Sequence, residues 1–425
     1  MANTAGLADE DRRTPTATSL AALDRINLFL AAVLSGFGPY VAAFLAEQNW
    51  TPQDIGFVLT AAAVAGLVSQ TPAGELLDRT QAKRPAVMLA VAMIGGAALG
   101  IALWPSFPSV LTSLMIQAAA GGFLGLGIAS VSLGLVGHAE FGERLGRNQR
   151  FASAGGVFGA AFMGLASYFL SYRAIFLVAA ALVLPLLAAL SRIKPSDIHF
   201  EAACGMAHED GPIRPGRARR LSLWKCRGLA VFACAVFLFQ LANASVLPLA
   251  AETLAHTEGA ALVTSALIIV PQAIVALMAP QMGRWAKALG RRPLLLVGFA
   301  ALPVRAVVFA WTSEPFILIP AQILDGISGT VLGVLTALTV ADVTAGSGRF
   351  NLAQGFVGTM SGLGGSVSTT LSGQIIGAFG RTAAFLSIAG VGLAAVLLLW
   401  LLMPETRPPV NGLRGGAAVQ KRHDA

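Results

Sequence analysis

The chain has 425 residues, of which 56% are hydrophobic and 12% charged, with a formal net charge of +8 and a mean hydropathy of +0.72. This composition excludes a soluble globular protein and describes a polytopic membrane protein. The positive charge does not describe a nucleic-acid binder, because the basic residues are scattered over many short loops with no aromatic interleaving.

Crossing a hydrocarbon core about 30 Å thick takes about 20 mainly apolar residues. In chain order, a polar tail over 1–22 precedes predicted spans near 26–46, 55–73, 86–104, 109–136, 151–171 and 174–191. A polar, basic central loop over 192–227 follows. Six more spans lie near 228–250, 260–282, 293–312, 316–341, 351–378 and 383–403, before a second tail over 404–425. The chain is therefore expected to be an all-α membrane protein of two bundles, 23–191 and 228–403, with both tails and the central loop lacking fixed structure. Of the 29 lysines and arginines, only Arg173, Arg305 and Arg381 fall away from one face, which predicts cytoplasmic termini. No cleavable signal is expected before the first span.

Cys204, Cys226 and Cys234 have no ligand-like spacing, so no disulfide and no metal are expected. No phosphate-binding GxxxxGK[ST] motif occurs, and no nucleophile triad or cofactor motif suggests an enzyme. The outer loops, such as Trp104 to Ser109, are too short for an external binding domain, so a ligand is handled within the membrane.

The two halves repeat. PAGELLDRTQAKRP from Pro72 to Pro85 parallels PQMGRWAKALGRRP from Pro280 to Pro293. Pro39 pairs with Pro248, Gln117 to Gly121 with Gln322 to Gly326, and Arg150 with Arg349, the offset shrinking by a few residues. Pseudo-symmetry of this length in a hydrophobic chain points to a transporter built from two related bundles.

On these residues the chain resembles the major facilitator superfamily over nearly its whole length. That family's loop signature reads Gly, three residues, Asp, Arg, any residue, Gly, then basic residues. Gly74, Asp78, Arg79, Lys83 and Arg84 match it, while Gln81 and Ala82 depart. In the second copy Gly283, Gly290, Arg291 and Arg292 match, and Lys287 stands where the aspartate belongs. The resemblance implies alternating access between two six-helix bundles in a bacterial inner membrane, by a monomer that needs no cofactor and takes a small-molecule substrate. It also makes the tenth helix line the cavity and the ninth peripheral. The family's antiporter signature ends its fifth helix in Gly-Pro-two residues-Gly-Gly. Here Gly155, Gly159 and Gly164 are present without that proline, which argues against drug-proton antiport.

Asp78 is placed to face the N-terminus of the eleventh helix near Phe350, where the helix dipole favours an anion. Such a contact would latch the bundles while the inner side is closed, with Arg79 as the carboxylate's second partner. The other reading makes the loop a topology determinant through basic charge alone.

Arg305 and Asp325 fall deep in predicted spans. At about 1.5 Å per residue they lie roughly 18 Å from the inner and 14 Å from the outer face, nearly one depth. A lone charge there costs at least about 3 kcal/mol, so the two are expected to pair. Either they hold the ninth and tenth helices together, or Asp325 titrates or binds substrate beside Arg305. Asp24, Glu47 and Glu252 near span ends are weaker candidates for proton coupling. Polar residues on the family's cavity helices, namely Asn27, Ser35, Gln117, Gln240, Asn243 and Gln322, mark helix contacts or a substrate site, with Tyr40 as an aromatic wall.

The expected function is proton-coupled transport of a small solute, tilted towards efflux. Uptake and facilitated diffusion are the alternatives, and a non-transporting membrane sensor is a different class.

Overall fold

The structure is a computed structural model describing residues 15–37, 39–208, 211–212, 226–254 and 260–407. Among these residues, ten helices are long and apolar enough to cross a membrane. Two of them are doubled: Phe107–Phe169 breaks at Gly137 (φ 69°) and Phe350–Leu402 at Gly380 (φ 81°). Glycine adopts such left-handed backbone at little cost, so each long helix holds two consecutive crossings.

The described residues thus make twelve crossings. The first is Ala17–Ser35 continued by Pro39–Glu47, the second Pro52–Arg79, the third Lys83–Leu103. The fourth and fifth share Phe107–Phe169, and the sixth is Tyr172–Ser191. The seventh is Arg227–Asn243 continued by Val246–Leu254, and Ala260–Leu289, Arg291–Trp311 and Pro315–Thr344 follow. The eleventh and twelfth share Phe350–Leu402. Two hydrophobic cores fill the two halves, and the second reaches across to Phe141 and Leu145 of the first. The membrane face that bears the loop after the second crossing is called the basic face below.

Local chemistry sets the helix starts. The hydroxyls of Thr16, Thr51 and Ser171 accept the amide N–H of Ser19 (3.3 Å), Asp54 (3.2 Å) and Ala174 (3.3 Å). The Thr16 cap starts the first crossing at Ala17, so 17–22 are helical and not part of a tail; residues 1–14 lie outside the described residues. The cap is itself held by Asp197, which accepts from the hydroxyls of Thr16 and Ser19 at 2.7 Å each. Partial burial works against the Asp197 carboxylate, but these hydrogen bonds outweigh it and hold its pKa below the usual range.

The central loop also departs from expectation. Its residues Phe200–Ala203 form a short helix wedged against both halves. On one side, His199 N–H donates to the Gly134 carbonyl (3.0 Å) and the Ser130 hydroxyl to Ala203 (2.9 Å). On the other, Gly346 N–H donates to Gly205 (2.7 Å) and Phe350 N–H to Cys204 (3.2 Å). Ala203 and Cys204 are fully buried. The polar composition hid this because the contacts are made by main-chain groups, which composition does not report. Residues 209–210 and 213–225 of the loop lie outside the described residues.

The second tail likewise has work at its start. Glu405 accepts the N–H groups of Arg291 (2.8 Å) and Arg292 (3.1 Å), capping the ninth crossing, whose first-turn amides have no partner within the helix. Burial disfavours the charged carboxylate, yet the backbone N–H bonds of Arg291, Arg407 and Arg292 prevail and lower its pKa. A depressed carboxylate stabilises the fold above the unfolded-state pKa and loses that contribution as pH falls through the folded value. Glu405→Gln should therefore lower thermal stability at pH 7 by about 0.5–1 kcal/mol, the scale of an exposed cap. In thermal melts the difference from the parent should begin to shrink as pH falls into the ordinary glutamate range, about 4.3, and vanish only below the depressed folded-state value.

The duplication is visible in the packing, with one correction. A Cβ on Gly155 would meet the Leu28 carbonyl at 2.0 Å, and one on Gly364 the Phe237 carbonyl at 2.3 Å. Likewise Gly74 abuts Asn351 as Gly283 abuts Gly142. Leu28 and Phe237, Gly155 and Gly364, Gly74 and Gly283, and Gly142 and Asn351 are all related by the same offset of 209 positions. Pairing Arg150 with Arg349 therefore placed the fifth and eleventh helices about two to three turns out of register. Short glycine-rich stretches resemble one another at several offsets, and the close crossings choose the right one.

Candidate functional site

The halves meet along two seams at the basic face. In the first, the Asp78 carboxylate accepts Asn351 N–H (3.1 Å), Leu352 N–H (2.8 Å) and the Asn351 side-chain amide (2.8 Å). Arg349, the N-cap residue of the eleventh helix, makes no side-chain cap, so a residue of the other half satisfies its first amides. Gly74 makes the approach possible: a Cβ there would lie 2.1 Å from the Asn351 carbonyl oxygen. Further along, Thr71 and Thr359 share a hydrogen bond at 2.9 Å, and Thr359 also donates to the Leu67 carbonyl at 3.4 Å.

Arg79 is not the second partner of Asp78. It pairs with Glu75 at 2.5 Å on the exposed side of the helix. The cation near Asp78 is Lys83, fully buried, whose ammonium donates to the Leu77 carbonyl (2.7 Å) and the Cys204 sulfur (3.3 Å) and sits 5.0 Å from the Phe200 ring centre. Arg84 is half-buried. Burial and the nearby Asp78 charge, against the opposing pull of Lys83, push the Cys204 thiol up to about 11, so it stays protonated at neutral pH.

The second seam joins the fifth and eighth helices, where a Cβ on Gly146 would meet the Ala279 carbonyl at 2.0 Å. Lys287, which replaces the aspartate, pairs with Glu143 at 2.8 Å. The asymmetry has a local cause. Asp78 meets a helix at its first residues, whereas Lys287 meets the fifth helix beyond its start after Gly137, where the amides are already used. Arg291 is buried and donates to Asp342 (2.8 Å), which also bonds His138 of the other half at 2.7 Å. Gly290 turns the chain into the ninth helix with φ 93°, and Arg292 donates to the Trp400 carbonyl (2.5 Å).

A second site lies at membrane depth in the second half. Arg305 of the ninth helix, 3% exposed, forms an ion pair with Asp325 of the tenth, whose side chain is 29% exposed. The same guanidinium donates to Gln322 (3.0 Å) and to Asn243 of the seventh helix (2.6 Å), leaving Nε without a partner. Gln322 donates onward to the Leu267 carbonyl of the eighth helix (3.0 Å). Side chains of the seventh and tenth helices thus converge on one guanidinium of the ninth, and Gln322 ties the eighth helix in behind it.

The other cavity candidates do not join this cluster. Asn27 donates to the Leu23 carbonyl of its own helix (2.8 Å), Ser35 to Ala31 (2.9 Å) and Gly156 (3.3 Å), and Tyr40 to the Ala160 carbonyl (3.3 Å). Gln240 donates to Ser361 (3.1 Å), and Gln117 is half-buried. Gln322 is 1% exposed with both ends of its amide engaged between helices, which is the helix-contact reading of this residue. Asp24 is likewise spoken for, by Arg144 (2.5 Å) and Arg147 (2.6 Å). Its position at the end of the first predicted span was the available signal, but the partners lie about 120 residues away. The Glu252 side chain lies outside the described residues.

Two six-helix halves, locked at one face and carrying a polar node at mid-depth, define a membrane transporter of the two-bundle type. The MFS_1 like family matches residues 20–387, and the chain belongs to the major facilitator superfamily. It is 36% identical over 389 residues to an MFS-type transporter of Mycobacterium tuberculosis, covering 91% of this chain and 93% of the relative. A class E tetracycline resistance protein of Escherichia coli is 30% identical over 130 residues, 31% of each chain. The fold matches a proton:xylose symporter with a TM-score of 0.69 and 16% identity, covering 92% of this chain and 96% of the symporter.

Proposed function

We propose that this transporter moves a small neutral or amphipathic solute by a proton-coupled cycle tilted towards efflux, with its basic face and both termini in the cytoplasm. Orientation rests on the concentration of lysine and arginine at that face. Efflux is supported by the segment shared with the tetracycline resistance protein. The observation that carries proton coupling is Asp325, a carboxylate at membrane depth that keeps 29% of its side chain accessible beside an almost fully buried arginine. Intramembrane carboxylates of this kind mark ion pathways. Asp78 serves as the latch of the cytoplasmic gate, while Arg305, Gln322 and Asn243 orient the coupling carboxylate.

The test begins with a thermal-shift screen of the purified protein against a solute library. The best hit is then assayed for proton flux in reconstituted vesicles. Asp325→Asn should retain solute binding and lose solute-driven proton movement by at least about tenfold, the scale of a coupled carboxylate's role. Unchanged coupling in that variant would remove Asp325 from the proton path.

A further inference from the structure

A cavity of about 860 Å³ opens beside the seam between the fifth and eighth helices. Its two ends differ in chemistry. Arg147, Arg150 and Arg284 lie at the end nearest the loops, and Phe151, Ala154 and Phe158 form an apolar stripe leading into the membrane. Phe151, Ala154 and Phe158 share one side of the helix by their spacing. Gly155 and Gly159 press on Leu28 and Ala32 of the first helix, and Gly142 and Gly146 on Gly283 and Ala279 of the eighth. The stripe faces away from both contacts, and Phe158 is 70% exposed, so this side of the helix is open to an occupant outside the fold.

The charges in the crevice are partly spent. Asp24 engages Arg144 and Arg147, and Glu143 engages Lys287. Arg150 and Arg284 are exposed and have no carboxylate partner among the described residues, with only Glu140 of the lining to oppose them. Guanidinium groups bind phosphate oxygens through paired N–H donors, and basic groups at headgroup level attract anionic lipid.

We propose that this crevice binds the phosphodiester headgroup of an anionic phospholipid, held by Arg150 and Arg284, with an acyl chain along the Phe151, Ala154 and Phe158 stripe. Arg150 belongs to the first half and Arg284 to the second. One headgroup contacts both only while the seam is closed, so the lipid stabilises the state closed at the basic face. Neither the identity of the solute nor the coupling ion enters this argument.

The purified full chain is melted in phosphatidylcholine nanodiscs with and without phosphatidylglycerol, and in detergent with inorganic phosphate. Phosphatidylglycerol should raise Tm by about 2–4 °C. The doubly substituted Arg150→Gln, Arg284→Gln protein should melt normally in pure phosphatidylcholine and lose that rise. An Arg192→Gln, Lys194→Gln protein, altered at exposed positions elsewhere, should keep it. The proposal is overturned if the first variant keeps the full rise, or if the second loses it equally, which would indicate surface charge alone. It is also overturned if inorganic phosphate gives the same rise, which would assign the arginines to a free anion.

Discussion

Replacing Asp78 with alanine should reduce solute transport at least tenfold while the protein still inserts and folds. The carboxylate receives three N–H donors from Asn351 and Leu352 across the seam. Hydrogen bonds to a charged acceptor contribute about 1.5–3 kcal/mol each when both partners are well placed. Losing even about 3 kcal/mol shifts a two-state equilibrium roughly a hundredfold, and the first amides of the eleventh helix are left without their cap. The closed basic face then becomes the minor state, and the cycle stalls with that face open. Vesicle transport, normalised to inserted protein, checks this. Transport at the parent rate would leave the loop as a topology determinant only.

Gly74→Ala should have a comparable effect through one methyl group. Its Cβ would lie 2.1 Å from the Asn351 carbonyl oxygen and 2.8 Å from the Leu352 Cα, both main-chain atoms that cannot rotate away. The halves must separate to admit it, so closure at the basic face is blocked while the opposite state is untouched. Gly96→Ala, where nothing lies within 4 Å, is the neutral control. Cys204 reports the difference directly. Buried in the seam with its thiol pushed up to about 11, it should resist maleimide in a Cys226→Ser, Cys234→Ser background. Adding Gly74→Ala should expose it and speed its labelling several-fold, on the scale of a population shift. Labelling no faster than in the background would show that the seam tolerates the methyl group.

Much of this architecture is legible in the chain. Hydrophobic runs of membrane-spanning length, the paired proline-to-proline loops and the depth of Arg305 and Asp325 lead to the fold, the Asp78 contact and the buried ion pair. These depend on periodicity and on the cost of a charge in hydrocarbon, which sequence reports well. What was not legible depends on long-range main-chain contacts. Arg79 follows Asp78 directly and so points to another side of the helix, towards Glu75, while Lys83 swings back beneath the seam. The wedge at Ala203 and Cys204 and the Glu405 cap look like linker and tail because their polar composition is that of unpaired chain. Gln322 reads equally as a helix contact or a cavity amide until Arg305 and the Leu267 carbonyl are seen to consume it.

The proposed exchange of access requires the seam at the basic face to open and close. Spin labels at the exposed positions Glu140 and Ala288, one on each half, measure it directly in nanodiscs. Two distance populations are expected, their balance shifting when solute or a pH gradient is applied, with the longer one dominant in Gly74→Ala. A single short distance, unchanged by solute, pH or that substitution, would contradict that exchange.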